Sequence, residues 1–424
     1  MDKRLYLNYV AILQSELIPA LGCTEPIAVA YASATAVKVL GRLPDTIEMW
    51  CSGNIIKNVK GVIVPNTGGM KGLEVAALAG IIGGDADRGL EVLEPLTGNQ
   101  ISEIKRRLGT GYCVCRLLPG TENLHIIAKL TAGSDVVEVE IRTKHANITK
   151  IVKNNKVLLE KNESDVEEPM DSGDSARLTV KDILEFADCL NPDDVKVLFE
   201  RQIVLNTAIA EEGLKNCYGA DVGKTLLKFY GDTVRVRAVA KAAAGSDARM
   251  SGSCLPVVIN SGSGNQGMTA SLPVIEFANE LEVSREKLYR ALAVSNLIAI
   301  HQKKYLGRLS AYCGVVSAAC GSAAAITYLH GGGYEAVSRT ITNILADISG
   351  MVCDGAKASC AMKIASAVEA AVMAHYLSFD QKTFSAGDGL VKDDVEKTIH
   401  SIYRMGKDGM KETDIEILNI MLEP

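Results

Sequence analysis

Across residues 161–175 the hydrophobic pattern of the chain turns from one that includes strands to one that is helical almost throughout, and that change limits the fold more than any other feature. Residues 161–175 read KNESDVEEPMDSGDS, an acidic stretch with few apolar side chains. Shortly before it, apolar positions alternate. Val137, Val139 and Ile141 face one way, and Glu138, Glu140 and Arg142 the other, the period of a half-buried strand. After it, segments such as LTVKDILEFADCL and VRVRAVAKAAAGSDARM run at helical spacing,. The chain therefore reads as α+β: an N-terminal α/β domain with an antiparallel meander, followed by a mostly α-helical C-terminal domain. The acidic stretch is the predicted linker, with domains at 1–165 and 176–424.

In the first part, residues 4–18 predict a helix that Pro19 and Gly22 break. LGCTEP then leads into a second, Ala-rich helix ending at Gly41, with Thr24 as N-cap and Glu25 and Pro26 in the first turn,. TIEMWCSGN reads as a strand running into a glycine turn. VPNTGGMKG reads as a glycine-rich loop that opens the helix LEVAALAGIIGG. YCVCRLL, NLHIIAKL, DVVEVEIRTKH, ITKIV and KVLLE read as successive strands,.

Bulk properties narrow the function. The length of 424 residues suffices for a sizeable core,. A net charge of −6 leaves no basic nucleic-acid footprint,. No uncharged apolar run approaches the roughly 18 residues of a membrane span, and the N-terminus lacks a secretory cleavage pattern. The expectation is a cytoplasmic protein with neither nucleic acid nor membrane as partner; a homo-oligomer stays open. Eleven cysteines in a reducing compartment do not make a disulfide scaffold,. The default for each is a small buried hydrophobe.

Two motifs are decoys. Gly262-Ser263-Gly264-Asn265-Gln266-Gly267 satisfies G-x-G-x-x-G, but the βαβ setting is missing and Pro273 is expected to interrupt the segment that follows,. Its backbone N–H groups, with Asn265 and Gln266, could instead cradle a carboxylate. Gly219–Thr225 resembles a P-loop with one residue too few between the glycines,.

The informative cysteines are C-terminal. Cys313 stands in SAYCGVVSAACG, and Cys353 and Cys360, seven apart, in MVCDGAKASC. Cys313 and Cys320 share that spacing. Thiolates are the usual ligands of iron–sulfur clusters, and three ligands leave one iron free to act as a Lewis acid. Four small core residues on Ala-rich helices fit the same spacing. Lys357 adds a rival, a pyridoxal phosphate Schiff base. Cys254, in SGSCLP, could line a site. At the other end, Cys23 precedes a helix N-terminus, which favours a thiolate, while Glu25 opposes one.

LGCTEPIAVAYA, CSGNIIKNVKGVIVPNTGGMKG, INSGSGNQG, SAYCGVVSAACG and MVCDGAKASCAMKIA together resemble the L-cysteine desulfidase family, whose bacterial members were long grouped as an uncharacterised family. It is related to the iron–sulfur L-serine dehydratases, and the resemblance covers nearly the whole chain. It implies a [4Fe–4S] cluster held by Cys313, Cys353 and Cys360, with Cys23 as proton acceptor. Cys320 matches no ligand of the family. The implied reaction is β-elimination of L-cysteine to sulfide, ammonium and pyruvate. The alternatives are the same chemistry on L-serine and, in a different class, a non-catalytic iron–sulfur redox sensor. The loops that carry Thr24, Asn66 and Thr67, and Asn265 and Gln266, are expected to hold a small amino-acid substrate.

Overall fold

Strand segments over 46–51, 113–117 and 125–160 build one six-stranded sheet. A computed structural model describes residues 1–118, 123–161, 173–306 and 309–423. Most of the predicted linker, residues 162–172, lies outside them. In chain order the first half holds α1 (Lys3–Glu16), β1 (Pro19–Leu21), α2 (Thr24–Leu40), β2 (Thr46–Cys51), α3 (Gly53–Lys60), α4 (Leu73–Gly83) and α5 (Gly98–Arg107). The strands β3 (Cys113–Leu117), β4 (His125–Ala132), β5 (Asp135–Arg142), β6 (Ile148–Lys153) and β7 (Lys156–Glu160) follow. The sheet order is β3-β2-β4-β5-β6-β7. From β4 to β7 it is the expected antiparallel meander, while β2 runs parallel to β3. Val137, Val139 and Ile141 are fully buried, and α2 packs across β4 and β5.

The second half is a body of helices: α6 (Val180–Cys189), α7 (Lys196–Lys215), α8 (Val222–Tyr230), α9 (Val234–Met250), then a short strand β8 (Pro256–Val258) and α10 (Gly264–Glu280). After these come α11 (Arg285–Lys303), α12 (Gly314–Leu329), α13 (Tyr334–Asp347), α14 (Cys360–Phe379), α15 (Val395–Arg404) and α16 (Lys411–Leu422). Small residues set the helix spacing. A Cβ on Gly321 of α12 would stand 2.3 Å from the Ser295 carbonyl oxygen of α11, so only glycine allows that approach.

Three local expectations are corrected. Pro273 does not interrupt its segment; α10 runs through it. The helix is buried along almost its whole length, and the Ser295 hydroxyl donates to the Ala270 carbonyl at 2.5 Å, in the turn that the missing proline N–H disturbs,. Gly53 opens a helix, α3, rather than a turn. Thr24 is not the cap of α2. Cys23 takes that position, and the Thr24 hydroxyl donates instead to the Gly262 carbonyl at 2.8 Å.

Several connections tie the halves together. β1 pairs antiparallel with β8, Ala20 opposite Val257. The first helix packs on the second half, where the Tyr9 and Phe186 rings meet edge-on at 5.4 Å. The last helix, α16, returns to the first half, where Asp414 meets Lys57 of α3 at 2.5 Å.

Candidate active site

The β1–β8 pair explains why distant sequence segments share a cavity. Cys23 follows β1 by two residues, and the glycine loop 260–264 follows β8 directly. Pairing the strands sets the starts of α2 and α10 side by side, and the Thr24–Gly262 hydrogen bond closes the contact. A second tie lies across the cavity. Tyr312 and Val352 form an isolated antiparallel bridge, with Cys313 N–H donating to the Met351 carbonyl at 3.1 Å and Cys353 N–H to the Ala311 carbonyl at 2.7 Å. That bridge brings two cysteines forty residues apart to one wall.

Four helices present their N-termini here. Cys23 caps α2, Ser263 caps α10, Cys313 caps α12 and Cys360 is the first residue of α14. All four line one cavity of about 90 Å³, together with Cys353. A bound water needs roughly 10–15 Å³ of such space, so several small polar groups fit. The free N–H groups and dipoles of the helix ends favour anions.

The Cys313 and Cys353 thiols lie against each other in the cavity wall. That contact raises the Cys313 thiol and lowers Cys353, which the Lys57 ammonium lowers further. Lys57 also donates to the Cys353 carbonyl at 3.4 Å. Gly355, at φ +91°, lets the loop between Cys353 and Cys360 lie on α3, since a Cβ there would stand 2.5 Å from the Lys57 carbonyl oxygen. Among the described residues no three His, Cys, Asp or Glu side chains converge on a point that would hold a single metal ion. A multi-iron cluster asks for something different, thiolates spread around its corners. The donor set of Cys313, Cys353 and Cys360, three thiols on one cavity ringed by helix N-termini, fits that demand.

Cys23 Sγ donates to Glu25 Oε2 at 3.1 Å. Burial, then the Glu25 charge, pushes its thiol well above the usual range. Burial alone would raise the Glu25 carboxyl too, but His145 and Cys23 hold it down at about 2. Asn58 donates to Glu25 Oε1 at 3.1 Å. The resting site is therefore a thiol beside a carboxylate.

Of the residues anticipated from sequence, Cys23, Asn265, Gln266, Cys313, Cys353 and Cys360 line the cavity. Thr24 lies behind it as a tether. Asn66 and Thr67 are not among the lining residues. Asn66 donates to the Leu93 carbonyl at 3.0 Å and ties the loop to a neighbouring segment, while Thr67 donates to the Val64 carbonyl at 2.7 Å within the loop. Cys320 is fully buried in α12, and Cys254 is exposed. Lys357, the rival Schiff-base lysine, is outside the lining and paired with Asp354 at 2.6 Å. Sequence reading passed over Arg249, Asn58 and Lys303, all of which line the cavity. Arg249 carried one signal, a charged residue inside the small-residue run AAAGSDARMSGS.

This α+β fold with its thiol-lined cavity belongs to a recognised class. The family model of the serine dehydratase alpha chain matches residues 87–419, and the chain is a member of that family of dehydratase-type lyases. It is 54% identical to a UPF0597 protein of Lachnoclostridium phytofermentans over 99% of this chain and all of the relative. It is 50% identical to a UPF0597 protein of Desulfitobacterium hafniense, over 99% of this chain and 97% of the other. One from Treponema denticola is 48% identical, over 100% and 99%. No described helix is long and apolar enough to cross a membrane.

Proposed function

We propose that this chain is an iron–sulfur-dependent L-cysteine desulfidase, a carbon–sulfur lyase that releases sulfide, ammonium and pyruvate. The observation that carries this reading is the gathering of four thiols, Cys23 from one half and Cys313, Cys353 and Cys360 from the other, on a single small cavity. Cys313, Cys353 and Cys360 would hold a [4Fe–4S] cluster. Such a cluster, when bound through three thiolates, supplies Lewis acidity toward the β-substituent.

The chain's own groups do the rest. Cys23 is the proposed acceptor of the Cα proton, and a positioned base contributes about 10²–10⁴-fold. Its own proton must leave first; Glu25 Oε2 accepts a hydrogen bond from that thiol at 3.1 Å and so orients it, while a carboxyl held at about 2 is too weak a base to keep the proton. Asn58 and His145 hold the Glu25 carboxylate in place beside the thiol. Asn265 and Gln266, in the first turn of α10, offer amides to the substrate. The Thr24–Gly262 hydrogen bond keeps the two loops in register. After elimination, aminoacrylate tautomerises and loses ammonium to water.

The family match favours one second reading, L-serine as substrate with hydroxide as leaving group. Anaerobic assay of L-cysteine against L-serine, scoring pyruvate and sulfide, separates them. Sulfide and pyruvate in equal amounts from L-cysteine support the proposal. Pyruvate from L-serine alone would replace it with the dehydratase. Iron binding without turnover of either amino acid would leave the non-catalytic sensor.

A further inference from the structure

Arg249, at the end of α9, is a charge without a counter-charge among the described residues. It is 2% exposed, and its Nε has no hydrogen-bond partner. One terminal nitrogen donates to Asn265 Oδ1 at 3.1 Å. It forms no ion pair with any described carboxylate within 4.0 Å. Glu25 lines the same cavity but is engaged by Cys23, Thr24, Asn58 and His145. A buried guanidinium left unpaired is costly. A Cβ on Gly264 would stand 2.4 Å from Arg249 Nε and 2.7 Å from its Cζ. A side chain at position 264 would crowd both the guanidinium and Val257, whose Cγ2 would stand at 2.6 Å, at the residue that opens α10 with its free N–H groups.

A second orphan sits beside it. The Gln266 Oε1 acceptor is buried without a partner, and a Cβ on Gly314 would stand 2.6 Å from the Gln266 amide. The wall thus presents an unsatisfied planar cation and an unsatisfied neutral acceptor, with a carboxylate fixed at Glu25. That is the complement of a zwitterion. Guanidinium forks match carboxylates in two-point contact.

We infer that Arg249 is the binding residue for the substrate's α-carboxylate, with Asn265 orienting its fork, and that it confines the site to α-amino acids over the corresponding amines. This rests on the small amino-acid substrate of the proposed function and adds the group that recognises it.

The test uses anaerobic holoenzyme and three probes without a leaving group: L-alanine, propanoate, which lacks the ammonium, and ethylamine, which lacks the carboxylate. Equilibrium dialysis of radiolabelled probe reads binding without turnover. Arg249→Gln is expected to weaken L-alanine and propanoate by about 10- to 100-fold and to leave ethylamine unchanged. Arg249→Lys, which keeps the charge and loses the fork, is expected to raise KM for the eliminated amino acid more than it lowers kcat. The melting temperature of Arg249→Gln is expected to equal or exceed that of the parent, because an unpaired buried charge has gone; a merely structural arginine gives a fall. Equal weakening of all three probes, or no weakening of propanoate, overturns the inference. Selective loss of carboxylate binding in a protein that eliminates neither L-cysteine nor L-serine upholds it while removing the proposed function. Full turnover with unchanged KM in Arg249→Gln does the reverse.

Discussion

The contact between Lys57 and Asp414 gives the most quantitative prediction. Lys57 belongs to α3 and its side chain is 1% exposed; Asp414 belongs to α16 and its side chain is 17% exposed. The ammonium lies 2.5 Å from Asp414 Oδ1, and its other acceptor is the Cys353 carbonyl at 3.4 Å. Asp414 Oδ2 also accepts from Asn54 at 2.6 Å. Asp414→Ala removes the counter-charge and leaves a buried ammonium on one long hydrogen bond. Deleting one partner of a buried pair costs about 3–5 kcal/mol. Water can reach Asp414, so the lower end applies, about 3 kcal/mol, or roughly a hundred-fold in the folding equilibrium. Lys57→Met is expected to cost less, because the carboxylate it leaves behind keeps Asn54 and water. The Lys57→Met, Asp414→Ala double variant is expected to lose less than the sum of the two single losses, because both charges then leave together. Urea unfolding of the four proteins under reducing anaerobic conditions closes the double-mutant cycle. A loss below about 0.5 kcal/mol for Asp414→Ala, or a larger loss for Lys57→Met than for Asp414→Ala, would refute the reasoning.

Further outcomes follow from the same geometry. Cys313→Ser, Cys353→Ser and Cys360→Ser are each expected to lower iron and labile sulfide in anaerobically purified protein, whereas Cys23→Ser keeps both and loses turnover; full iron in all three would remove the ligand set. Asp247, on α9, has its carboxyl pushed up by burial to about 6, although backbone N–H groups including that of Val222 at 2.7 Å oppose the shift. Its folded pKa lies above the unfolded value of about 3.9, so its ionisation costs stability as pH rises between about 4 and 6, with no further change above. The stability gained by Asp247→Asn is therefore expected to grow across that window in urea midpoints, and a gain that shrinks with pH contradicts the shift. A Cβ on Gly80 of α4 would stand 2.2 Å from the Ala30 carbonyl oxygen of α2. Gly80→Ala is expected to cost about 3 kcal/mol through backbone displacement, while Gly98→Ala, with open space around it, stays near zero in thermal melts.

Much of this protein was legible in the order of its residues. Period-two alternation over residues 125–160 and helical spacing after residue 176 report which faces are buried, and burial is a local consequence of side-chain chemistry. The α+β class and the strands of the meander follow from that alone. The cysteine spacing raised a cluster, and the joint motifs chose Cys313, Cys353 and Cys360 over Cys320. Nothing local in the chain places Cys23 beside them. The β1–β8 pairing does so, and strands of three residues each carry too little pattern to be recognised. The course of α10 through Pro273 was likewise hidden, because the Ser295 hydroxyl that serves the disturbed turn comes from another helix. Arg249 shows the limit most clearly. Its sequence neighbourhood says only that a charge interrupts small residues. Whether that charge finds a carboxylate or stands unpaired in a cavity depends on the packing of α9 against α10, and only the tertiary structure settles a pairing between residues that the chain itself keeps apart.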